Sequence, residues 1–89
     1  MAFRTEAVRQ IMLETMTAIG LEQSHPQVYH RIVFAQDIQA LWYTRSDLMT
    51  ALASEHSESF AQEKIALISS LFSGLLPPSL KYREPPHLL

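Results

Sequence analysis

The chain has no cysteine and only two glycines among its 89 residues. The first absence excludes a disulfide framework and thiolate metal sites. The second excludes a glycine-rich phosphate loop, because Gly20 and Gly74 stand alone. Positive charge is also scarce: seven Lys and Arg against nine Asp and Glu give a formal net charge of -2, with basic residues scattered from Arg4 to Arg83. A phosphate backbone requires a concentrated basic surface, so nucleic acid is not an expected partner. Long apolar runs are missing as well. Ile11-Met12-Leu13 is far shorter than a signal-peptide core, and nothing approaches the 18 or so apolar residues of a membrane span. The expected location is the cytoplasm, with no membrane association.

Catalytic signatures are lacking too. His25, His30, His56 and His87 include no pair three or four residues apart, the spacing that sets two imidazoles on one helical face. No serine lies in a nucleophile-elbow sequence. The sequence therefore reads as non-enzymatic, with no metal and no cofactor.

What remains is apolar content of 47% against 18% charge, the composition of a globular protein. A chain of this length supports one domain and buries roughly two thirds of the surface its unfolded form exposes. Packing against another chain is the available supplement.

Helical periodicity organises residues 1–76. A first helix over 5–19 is expected to start with Thr5 as its N-cap and to line up Val8, Ile11, Met12, Thr15, Met16 and Ile19 on one face. Gly20 supplies a left-handed terminus, with Leu21 packing back on Met16 in a Schellman arrangement. A polar connection over 22–25 follows, and Ser24-His25-Pro26-Gln27 reads as a capping-box variant with proline in the first turn. The second helix then spans 26–54 without glycine or further proline, carrying Val28, Ala35, Trp42 and Met49 at seven-residue steps beside Phe34, Leu41 and Leu48. At about 28 residues and 42 Å it exceeds the roughly 30 Å width of a domain this small. The register crosses Thr44-Arg45-Ser46-Asp47 without a phase change, which favours a continuous helix over a break there. A third helix over 57–73 begins at Ser57 or Ser59 and stops at Gly74 and Pro77-Pro78. The expected architecture is an all-α antiparallel three-helix bundle with a long central helix, in one domain over 1–76. Residues 77–89, which hold four of the five prolines, form an extended C-terminal tail.

The larger apolar side chains of the second helix occupy an arc of about 200°, wider than one surface stripe requires. This points to a homodimer through that helix, with Arg31, Ile38, Leu41, Trp42, Arg45, Leu48, Met49 and Leu52 at the interface; Arg and Trp are enriched at binding hot spots. The functional expectation is a small interaction or adaptor module that also engages a protein partner. The alternative is a small-molecule-binding or accessory subunit whose pocket lies between helices, lined by Trp42 or Tyr29.

Overall fold

The computed structural model describes residues 2–76, which form five helices and no strand. These are α1 (Ala2–Thr17), α2 (Leu21–Ser24), α3 (Pro26–Phe34), α4 (Ile38–Glu55) and α5 (Glu58–Ser70). The all-helical class expected from periodicity is present. The long central helix is not: residues 26–54 are divided between α3 and α4. The expected tail at 77–89 lies outside the described residues.

The division falls at residues 35–37, upstream of the Thr44–Asp47 segment that offers the sequence's clearest interruption. Ala35 leaves helical geometry at φ -59, ψ 130, and Asp37, in extended backbone, caps α4 by accepting the Ala40 amide on its carboxylate at 2.9 Å. Residues 44–47 stay helical because their polar groups find partners within the fold. The Thr44 hydroxyl donates to the Ala40 carbonyl at 2.8 Å, a bond a helix tolerates, Ser46 Oγ bonds the Tyr43 carbonyl, and Asp47 pairs with Arg31. With 18 residues, α4 is about 27 Å long and fits the 34 Å longest dimension; an unbroken 26–54 helix would not. The break also resets the phase, so α4 turns Leu41, Thr44, Leu48, Ala51 and Leu52 inward rather than Trp42 and Met49. Replacing Asp37 with Ala is expected to cost about 1 kcal/mol in denaturant unfolding, the usual value of an N-cap; an unchanged midpoint would show that the break is held by other contacts alone.

Other helix boundaries combine agreement with correction. α1 starts at Ala2, which puts Thr5 inside the helix. Gly20 is left-handed at φ 75, as expected, but the chain before it closes through tight bonds from Ile19 to Met16 and from Gly20 to Thr17. The segment taken for a polar connection is the short α2, which contributes Leu21 to the core. Pro26 opens α3, while the residue preceding it, His25, makes no side-chain capping bond. Ser57 caps α5 through Phe60 N–H at 3.1 Å, and Gly74 is left-handed at φ 78 beyond its end.

Packing is centred on α4, which contacts all four other helices. Two pairs set α4 antiparallel to α3: Arg31 with Asp47, and His25 Nε2 with Glu55 Oε2 at 3.3 Å. Two more set α5 antiparallel to α4: Trp42 edge-on to Phe72, and Arg45 Nη1 donating to Ser69 Oγ at 2.8 Å. α1 packs across this layer against α3, α4 and α5. One core results, built from Val8, Met12 and Met16 of α1, Leu21, Val28 and Ile32, the inner face of α4, Ala61 and Ile68 of α5, and Phe72 and Leu75 beyond it.

Arg9 fastens α1 to the broken end of α3. Its Nη1 donates to the carbonyls of Ile32 at 2.7 Å, Val33 at 3.1 Å and Ala35 at 2.8 Å. These carbonyls lie at the terminus of α3, where intrahelical amide partners run out, although Ile32 also accepts the Ala35 amide at 3.4 Å, and a cation there opposes the negative end of the helix dipole. The same guanidinium reaches Glu6 through Nε and Nη2. Hydrogen bonding to Arg9 holds the exposed Glu6 carboxyl below its ordinary range against an opposing desolvation effect, with a lesser contribution from the guanidinium charge.

Candidate functional site

The residues expected at a dimer interface separate into three groups. Leu41, Leu48 and Leu52 are 0% exposed within the single chain, enclosed by the neighbouring helices. These side chains belong to the core of the single chain. Ile38, Trp42, Arg45 and Met49 form a half-buried strip along the edge of α4, with Ile38, Trp42 and Met49 packed against the core from outside. Arg31 is exposed at the α3 surface and held by Asp47.

Trp42 and Arg45 make an internal unit. The guanidinium carbon sits 3.3 Å from the centre of the indole ring, Arg45 Nε donates to the Trp42 carbonyl at 3.0 Å, and the indole meets Phe72 at a centroid distance of 5.0 Å. Such cation–π and edge-to-face contacts satisfy both side chains inside the protomer. With Arg45 and Phe72 against it, the Trp42 ring is engaged in joining α4 to α5. A shallow depression does open beside the strip, lined by Ser46, Met49, Thr50, Ala53, Ser54 and Glu58.

The more distinctive surface lies elsewhere, between α1 and α5. Two depressions, of about 320 Å³ and 240 Å³, lie side by side in the groove between these helices and share Ile11, Ser70 and Leu71. Arg4, Ala7 and Val8 line it toward one end, and Thr15, Lys64, Leu67 and Ile68 toward the other. Ile11 is 40% exposed and Leu67 60%, so large apolar side chains face solvent on both walls. Phe3, also exposed, stands one turn before Ala7 and extends the α1 row. Phe3, Ala7 and Ile11 recur every four residues beside the Val8, Met12 and Met16 row, and Ile11, expected on that buried face, is instead turned partly to solvent.

Among the described residues no three His, Asp or Glu side chains are placed to hold a metal ion, and no helix is long and apolar enough to cross a membrane. His25 bridges Glu55 and Ser54, His30 meets Phe34 edge-on, and His56 stacks on Phe60 at 3.9 Å. Comparison with protein-family models, curated proteins and solved structures finds no match to this chain.

Proposed function

We propose that this protein is a non-catalytic protein-interaction module. The observation that carries this reading is the solvent-facing apolar groove between α1 and α5, flanked by Ile11 and Leu67. Exposed apolar surface costs free energy in water, and where it is contiguous and concave it is the common mark of a site that another macromolecule covers. The small-molecule alternative has weaker support, because the groove is open and shallow and the Trp42 ring is already engaged by Arg45 and Phe72.

Site-specific photo-crosslinking tests the reading. With a photoreactive residue at position 67 in expressing cells, a covalent adduct of discrete mass is expected; at the exposed polar position Gln23, no such adduct is expected. Equal labelling from both positions, or none from position 67, would overturn it.

Self-association belongs to the same proposal but now has a narrower basis, the Ile38, Trp42, Arg45 and Met49 strip. It predicts a mass above the 10.2 kDa of one chain in light scattering at high micromolar concentration. A persistent monomer would remove the homodimer and leave recognition of a different protein as the working reading.

A further inference from the structure

We propose that the occupant of the α1–α5 groove is an amphipathic helix from another protein, with apolar residues at three- and four-residue steps and acidic residues toward both ends. This inference rests on the interaction reading above and adds the chemistry of the partner.

Secondary structure comes first. The described fold has no strand, so it presents no sheet edge to which an extended peptide could pair. A helix enters an apolar groove with its backbone amides and carbonyls already paired, whereas an extended segment finds no strand here to pair with. The length is suitable: from Arg4 to Thr15 the wall provided by α1 runs about 16 Å, or three helical turns. A helix laid there would meet Ile11, Ile68 and Leu71 along the groove and Leu67 on its rim.

Charge then selects among helices. Both charged side chains that line the groove are cations, Arg4 toward one end and Lys64 toward the other, and no carboxylate lines it. Neither cation has a carboxylate partner among the described residues; Lys64 lies over the Phe60 ring at 5.4 Å. Glu14, on α1, accepts from Gln10 instead of entering the groove. A helix bearing Asp or Glu near its ends would pair with Arg4 and Lys64, whereas a basic helix would meet like charge at both positions.

The test uses the full chain as bait for a displayed library of helical peptides, followed by fluorescence anisotropy with the enriched sequences made synthetically. The expected winners carry apolar residues at helical spacing flanked by Asp or Glu. Leu67→Glu is expected to weaken their binding at least about tenfold, because it sets an unpaired carboxylate against the apolar face and the acidic ends of the peptide. The double variant Arg4→Glu with Lys64→Glu is expected to reverse the preference toward Lys-flanked versions of the same peptides. Both changes fall on the groove's lining away from the core cluster, and unchanged helical circular dichroism would verify the fold. Enrichment of neutral or basic helices, binding insensitive to Leu67→Glu, or no enrichment at all would overturn the proposal. If Leu67→Glu instead abolishes a dimer seen in light scattering, a second copy is the occupant: the acidic-helix proposal fails while the interaction reading survives. No peptide binding together with no crosslink from position 67 would remove both.

Discussion

Arg9→Met is expected to destabilise the fold by about 2–4 kcal/mol, even though the substitution keeps an apolar stem of similar length. The Arg9 side chain is only 14% exposed, and one of its nitrogens serves three carbonyls at the end of α3. Charge-assisted bonds of this kind contribute about 1.5–3 kcal/mol each when measured singly, but three on one donor share its protons and do not add. Loss of the guanidinium leaves acceptors that water reaches incompletely, together with an unopposed helix terminus. For a domain of this size the corresponding fall in melting temperature exceeds about 8 °C. Arg9→Lys should recover only part of it, because an ammonium cannot present the planar fork that bonds α3 and Glu6 together. Glu6→Gln provides the control: it removes the exposed ion pair and is expected to leave the melting temperature nearly unchanged. Thermal unfolding of the three variants decides the matter, and an Arg9→Met protein as stable as the parent would show that solvent replaces the cap.

Leu48→Ala separates core from interface. The side chain is fully enclosed by its own chain, so truncation is expected to cost about 2–5 kcal/mol through lost burial and the cavity left behind. If Leu48 serves only the protomer, the loss is independent of protein concentration. Stability that comes from association instead rises with concentration by mass action. Urea unfolding at two concentrations about tenfold apart should therefore give the same difference between parent and variant; a difference that grows with concentration would return Leu48 to a subunit interface.

The outcome for α4 shows why an apolar arc is an ambiguous sign. Its width correctly marks the helix with the most neighbours, since α4 touches every other element. Periodicity counts how much greasy surface a segment carries but not which segments surround it. Leu41, Leu48 and Leu52 were covered by helices of the same chain, including α2, a four-residue helix too short to register as a period. The α1–α5 groove illustrates the converse. Ile11 and Leu67 lie on helices whose inner faces bury Val8, Met12, Met16, Ala61 and Ile68, and only the approach of two helices distant in sequence creates the concavity between them.

Residue types and their spacing were sufficient for the helical class, the left-handed Gly20, a serine cap for α5 at 57 or 59 and the proline that opens α3. Each depends on backbone preferences and hydrogen bonds within a few residues, which the linear order contains. The end of α3 did not follow from linear order. Asp37 is a strong cap, but an uninterrupted apolar register around it also suits a solvent-facing position inside a helix. Arg9, more than twenty residues upstream, settled the choice by bonding the carbonyls of Ile32, Val33 and Ala35. A helix ends where its unpaired carbonyls are better satisfied by something else, and when that group arrives from another helix only the folded chain specifies the boundary.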